Sequence, residues 1–97
     1  MPKIEIKKST RKGKKLMGIL TYDDGRTKTV HFGAEGYEDY TTSKDKEQRS
    51  RYLLRHKKNE NWDVPDTAGS LSRWILWGPT TSRKENIRLF KKKFGLK

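Results

Sequence analysis

Leu16-Met17-Gly18-Ile19-Leu20-Thr21-Tyr22-Asp23-Asp24-Gly25-Arg26-Thr27-Lys28-Thr29-Val30-His31-Phe32 reads as a β-hairpin. Leu16 to Tyr22 is mostly apolar, with β-branched Ile19 and Thr21, as a central strand requires. Asp23-Asp24-Gly25 is turn chemistry, since Gly25 can take the positive φ that a tight reversal needs. From Arg26 to Phe32 polar and apolar residues alternate. Lys28, Val30 and Phe32 share one face, and Thr27, Thr29 and His31 the other. Upstream, Lys3-Ile4-Glu5-Ile6-Lys7 has the same period of two and reads as a further half-buried strand. The basic turn Ser9-Thr10-Arg11-Lys12-Gly13-Lys14-Lys15 joins it to the hairpin. The expectation is a meander of three antiparallel strands.

Downstream the period changes. Gly33 to Tyr40 reads as a loop with a small acidic cluster, in which Tyr37 and Tyr40 are the rings expected at the surface. Thr42 or Ser43 can cap a helix over Lys44 to Lys58 by offering a side-chain oxygen to free amides. Arg49, Tyr52, Leu53 and His56 fall on one face of that helix. Asn59 to Pro65 breaks it, with Trp62 as an anchor. Asp66 or Thr67 can cap a short helix running to Trp77, in which Leu71, Trp74 and Ile75 share a face. Gly78-Pro79 ends that helix. Ser82-Arg83-Lys84-Glu85 has the spacing of a capping box, in which serine oxygen and glutamate each satisfy a free amide. Ile87, Phe90 and Phe94 mark the apolar face of the last helix, closed by Gly95. The fold class is therefore α+β: a three-stranded antiparallel sheet followed by about three helices packed on one face. Residues 1–97 form one domain, with a β-meander over 1–33 and a helical part over 34–97.

Composition bounds the function. Twenty-four Lys and Arg stand against 12 Asp and Glu, a formal charge of +12. Such an excess concentrates anions at the surface and speeds encounter with polyanions. The 10% aromatic content supplies a core that the 37% of charged residues alone would not promise. There is no cysteine, which removes disulfides and thiolate metal sites. No apolar run approaches the roughly 20 residues of a membrane helix. The first residues lack the apolar core of a secretory signal, so an intracellular address is expected.

Three segments carry most of the basic charge: Lys3 to Lys15, Lys44 to Lys58 and Arg83 to Lys97, with seven basic residues each. At such density Lys and Arg neutralise phosphates and release condensed counterions, which drives binding regardless of sequence. The candidate phosphate-binding residues are Lys7, Lys8, Arg11, Lys12, Lys14 and Lys15 on the first turn. Arg51, Arg55, Lys57 and Lys58 on the first helix and Lys91, Lys92 and Lys93 on the last complete the set. Taken singly, each cluster is explained as a solvated face. Together they point to a polyanion. Scattered over the fold, the same charges would instead suit docking on acidic protein.

Catalysis has no candidate constellation. His31 and His56 are the only histidines, and Glu35, Asp39 and Asp45 form no ligand pattern with them. His56 with Asn59 faintly resembles the His–Asn pair of some nucleases, without the metal ligands such enzymes need. Asp23-Asp24 is explained by a turn and Glu38-Asp39 by a solvated loop. Walker loops, nucleophile elbows and Cys–His pairs are absent. No enzyme, cofactor or metal site is expected.

The stretches His31-Phe32-Gly33, Asp39-Tyr40-Thr41, Lys44-Asp45, Arg51-Tyr52-Leu53 and Arg55-His56-Lys57-Lys58 continue through Glu60-Asn61-Trp62, Thr67-Ala68-Gly69, Ser72-Arg73-Trp74 and Leu76-Trp77. From His31 onward, about two thirds of the chain, they resemble a family of small, basic, uncharacterised proteins encoded by large DNA viruses of algae and protists. Members start with a short β-rich region before the His-Phe-Gly. The resemblance implies a viral genome as the origin. It also implies binding or condensing of viral nucleic acid, DNA before RNA, or a minor capsid or internal place in the virion beside capsid proteins. The implied address is the host nucleus or a cytoplasmic virus factory, and the virion itself.

Overall fold

The computed structural model describes residues 1–97. Three strands, β1 (Lys3–Lys8), β2 (Lys14–Thr21) and β3 (Thr27–Ala34), form one antiparallel sheet in that order. Ile4 faces Leu20 across the first pair, and Leu16 faces Phe32 across the second. Because successive side chains alternate, this register gathers Ile4, Leu20 and Phe32 on one buried face. Glu5 and Thr29 on the other face stay exposed. The expected meander and its sidedness hold, with β3 running two residues past Phe32.

Four helices follow: α1 (Tyr40–Ser43), α2 (Lys46–Lys57), α3 (Ala68–Leu71) and α4 (Arg83–Phe94). None is long and apolar enough to cross a membrane. The region before α2 differs from expectation. Asp39 caps α1 and accepts from the Thr41 amide at 2.8 Å, while Thr42 closes a capping box back to the Asp39 amide. Thr42 and Ser43 therefore lie inside a helix of their own rather than capping α2. Lys44, at φ 58°, ends that turn, and Asp45 caps α2 through the amides of Glu47 and Gln48. Tyr40, expected at the surface, is buried in the core, whereas Tyr37 is exposed as expected.

Thr67 caps α3, which passes at Ser72 into a π-helical turn over Ser72–Leu76. The Trp77 amide reaches the Ser72 carbonyl at 2.9 Å. A π turn accommodates one residue more than an α turn. Leu71, Ile75, Leu76 and Trp77 all become buried against the sheet and α2. Ser82 caps α4 through the Glu85 amide as its spacing predicts. The capping box is only half made, because the Glu85 carboxylate turns to Arg88 (Nε to Oε2, 3.0 Å) and the Ser82 amide donates to Thr80.

Two buried polar side chains tie these pieces together. Asn86 Nδ2 donates to the carbonyls of Ile75 and Thr80, each at 2.9 Å, and its Oδ1 accepts from the Thr80 amide and hydroxyl. The loop after the π turn passes so close that a Cβ on Gly78 would stand 2.2 Å from the Trp74 carbonyl and 2.8 Å from Asn86 Cγ. Neither backbone nor a fully bonded amide can retreat.

Asp39, 1% exposed, is the second. It takes Lys15 Nζ at 2.7 Å and Arg83 Nη2 at 3.1 Å on Oδ2, with the Thr41 amide and hydroxyl on Oδ1. Arg83 Nε also donates to Thr41 Oγ1 at 2.9 Å. The solvated loop expected for this acid is replaced by an ionic junction of β2, α1 and α4. Burial alone would raise the Asp39 pKa, but the Lys15 ammonium and the Thr41 donors outweigh it and hold the acid below 3.8.

Gly78→Ala should lower stability by about 3 kcal/mol or more, read as a drop in the urea midpoint; an unchanged midpoint would contradict the packing described. Asp39→Asn keeps a capping side chain but strands the cations, and a loss of about 3 kcal/mol is expected. A carboxyl with a lowered folded pKa stabilises fully above its unfolded value. That stabilisation disappears as pH falls through the folded one. The gap between wild type and Asp39→Asn should therefore be constant above pH 3.8 and close progressively below it.

Candidate nucleic-acid interface

The β1–β2 turn is a braced projection. Ser9 Oγ accepts from the Arg11 amide at 3.0 Å and is hydrogen-bonded to His31 Nδ1 at 2.7 Å. Gly13 exchanges bonds with Glu35, its amide reaching Oε2 at 3.3 Å and its carbonyl taking the Glu35 amide at 3.0 Å. Lys8, Arg11, Lys12 and Lys14 thereby stand exposed on a held backbone. Lys7 lies 3.1 Å from Glu5, in a surface ion pair. Lys15 is different: its ammonium is engaged by Asp39 and is only partly exposed, so it serves the fold before any ligand.

On α2, Arg51, Arg55, Lys57 and Lys58 are exposed and have no carboxylate partner, as is true of Lys8, Arg11, Lys12 and Lys14. A cleft of about 670 Å³ is lined by Lys14 and Lys15 at the start of β2, by Gly36 to Asp39 before α1, and by Gln48, Tyr52, Arg55 and His56 of α2. Glu60, Ser72, Leu76 and Trp77 also line it. Gln48 and Arg55 also border a neighbouring groove with Arg51 and Leu54. Lys14, Arg55 and Arg51 thus follow one another along adjoining depressions.

The cleft contains a column of rings. Trp77 and His56 stack on the two faces of Tyr52, each at a centroid distance of 4.3 Å. Burial, with the Glu60 charge adding to it, pushes the Tyr52 hydroxyl well above its ordinary 10.0, against the opposing pull of Arg73 and Arg55, so it stays neutral. Beneath the column, Arg49 Nε donates to the carbonyls of Trp77 and Gly78 at 3.2 and 2.9 Å, and Arg73 Nη1 to that of Trp77 at 3.0 Å. Burial and the neighbouring Arg49 charge lower the Arg73 pKa from its ordinary value. Its guanidinium lies 5.2 Å from the Trp62 ring centroid and 4.2 Å from that of Trp74. These arginines satisfy free carbonyls at the end of the π turn.

Lys91, Lys92 and Lys93 lie elsewhere. α4 starts at the Asp39 junction beside Lys15, on the central strand, and the chain beyond its far end reaches the β1 edge at the other end of the strands. There the Lys97 carbonyl accepts from the Ile4 amide at 2.8 Å and the Lys97 amide donates to the Pro2 carbonyl at 3.0 Å. Twelve residues of helix put about 18 Å between its ends. Lys93 Nζ also rests 4.6 Å from the Trp74 ring centroid. Of the candidate residues, Lys14, Lys15 and Arg55 therefore share the cleft and Arg51 borders the adjoining groove, whereas Lys91, Lys92 and Lys93 line neither.

The ring column escaped the sequence reading in part. Tyr52 and His56 are four apart on a helix face, a visible signal for adjacency, but Trp77 joins them only through the π turn. His56 lies 3.6 Å from Glu60, its nearest acid, rather than in a pairing with Asn59.

Residues 4–56, from β1 to the last turn of α2, match the family of unknown function DUF5754. The match begins well before His31 and takes in nearly all of the sheet. The chain is also 31% identical over 83 residues to Uncharacterized protein L851 of Acanthamoeba polyphaga mimivirus, covering 79% of this chain and 83% of the relative. The expectation of an uncharacterised giant-virus family is met. No solved structure matches. This chain, a three-stranded sheet and helices with a cleft between the start of β2 and α2, is thus a member of the giant-virus-type family DUF5754.

Proposed function

We propose that this protein binds nucleic acid, DNA in preference to RNA, through the phosphate backbone and with little sequence selectivity. The carrying observation is the set of exposed cations without carboxylate partners, Lys8, Arg11, Lys12 and Lys14 around the β1–β2 turn and Arg51, Arg55, Lys57 and Lys58 on α2 and at its C-cap, of which Lys14, Arg55 and Arg51 border adjoining depressions. A lysine or arginine without a carboxylate partner keeps a condensable anion site, and each phosphate it replaces releases a counterion. Arginine adds a planar fork able to hold phosphate through two bonds. Such binding needs no reaction, and the role we assign is non-catalytic. It suits a protein packaged with a viral genome in the nucleus, a cytoplasmic virus factory or the virion.

A second reading, a minor capsid or internal virion component docking on acidic protein surface, draws on the separated lysines of α4. Nuclease treatment of opened virions distinguishes the two: it should release a DNA packager and leave a capsid component in place.

If about six phosphates are contacted, log affinity for duplex DNA should fall against log salt with a slope near −5. Lys14→Gln and Arg55→Gln should each reduce that slope by about 1, whereas replacing Lys91, Lys92 and Lys93 together should leave it unchanged. Affinity indifferent to salt in a fluorescence titration would refute the electrostatic account, and a slope reduced by the α4 variant would extend the contact around the molecule.

A further inference from the structure

Resting on the phosphate-backbone reading, we infer that the cleft between the start of β2 and α2 takes an unpaired nucleotide of the bound strand, its base against His56 and Tyr37 and its phosphate at Lys14 and Arg55. The ring column runs from buried Trp77 through Tyr52 to His56, whose side chain is 41% exposed. A flat aromatic guest can continue a stack that already exists. Tyr37, 74% exposed, also lines the cleft, so a second ring is free to close on the guest. At about 670 Å³ the cleft is within the size range of small-molecule sites, roomy enough for one nucleotide and too confined for a base-paired duplex.

Charge is arranged to match. Lys14 and Arg55 both line the cleft and have no carboxylate partners. Two of the three cleft acids are already occupied. Asp39 is neutralised by Lys15 and Arg83, and Glu60 accepts from Trp62 Nε1 at 2.9 Å and lies beside His56. Glu38 alone is exposed and unpaired, able to accept from an exocyclic base amine while repelling phosphate toward Lys14 and Arg55. Stacking on rings is tolerant of base identity. The expected ligand is therefore single-stranded nucleic acid, or a duplex with an unpaired base, of unrestricted sequence.

Fluorescence anisotropy with a short single-stranded oligonucleotide, its duplex and an abasic strand of equal length tests this. Tyr37→Ala and His56→Ala should each bind the single strand roughly fivefold to a hundredfold more weakly, the span of one base–aromatic stack. Their duplex affinity should stay within about twofold of wild type, and wild type should prefer the base-bearing strand to the abasic one. Tyr37 is too exposed to matter for folding, so its variant carries the test even if His56→Ala is unstable. Unchanged single-strand affinity in Tyr37→Ala, equal losses on duplex and single strand, or displacement of the oligonucleotide by a mononucleotide at similar concentration would each overturn the inference. Wild type that binds all three strands equally sinks the cleft and leaves the backbone reading standing, whereas wild type that binds none sinks both.

Discussion

A carboxylate taken out of water must be repaid by charge and hydrogen bonds, and Asp39 obtains both from three separate parts of the chain. Lys15 comes from the start of β2, Arg83 from the first turn of α4, and the Thr41 donors from α1. Without that convergence, burying the charge would cost several kcal/mol. With it, the strand end, the short helix and the last helix are held at one point. The cleft depends on the same point, because Lys15 and Asp39 form part of its wall. The junction thus links the packing of the sheet to the shape of the surface through which this family member is proposed to act.

A similar logic governs the other end of the cleft. The π turn leaves carbonyls of Trp77 and Gly78 without helical partners, and Arg49 and Arg73 supply the donors. That arrangement positions Trp77 flat against Tyr52. The chain's excess of positive charge is consequently divided. Lys15, Arg49, Arg73 and Arg83 are consumed by internal acceptors, while the turn and the outer side of α2 keep theirs free. Counting basic residues along the sequence cannot make that division, since Lys14 and Lys15 are chemically alike and differ only in which side of the strand end they occupy.

Local rules carried much of the architecture. The alternation in β1 and β3 led to the right buried face because a strand's period is two and nothing nearby competes with it. Gly95 ended α4 at a left-handed residue (φ 65°), as glycine permits. Thr67 and Ser82 capped the helices their spacing suggested. The errors cluster between Ala34 and Asp45. There Asp39 had a local explanation as a solvated loop acid, Thr42 and Ser43 were acceptable caps, and Tyr40 looked like a loop ring. Long-range partners 24 and 44 residues from Asp39 decided otherwise. Of the candidate interface, the cations on the turn and α2 were legible as charge, whereas the cleft and its ring column were not.

The sequence by itself determined the strands, three of the helix starts and stops, the basic character and the absence of thiol chemistry. Each of these follows from residues within a few positions of one another or from composition. Tertiary structure alone decided which cations remain free, that α4 carries its lysines to the far end of the sheet, and that Trp77, Tyr52 and His56 form one stack. Those outcomes depend on burial and on partners distant in the chain. A side chain's charge and ring are written in its identity, but its availability is set by what folds against it.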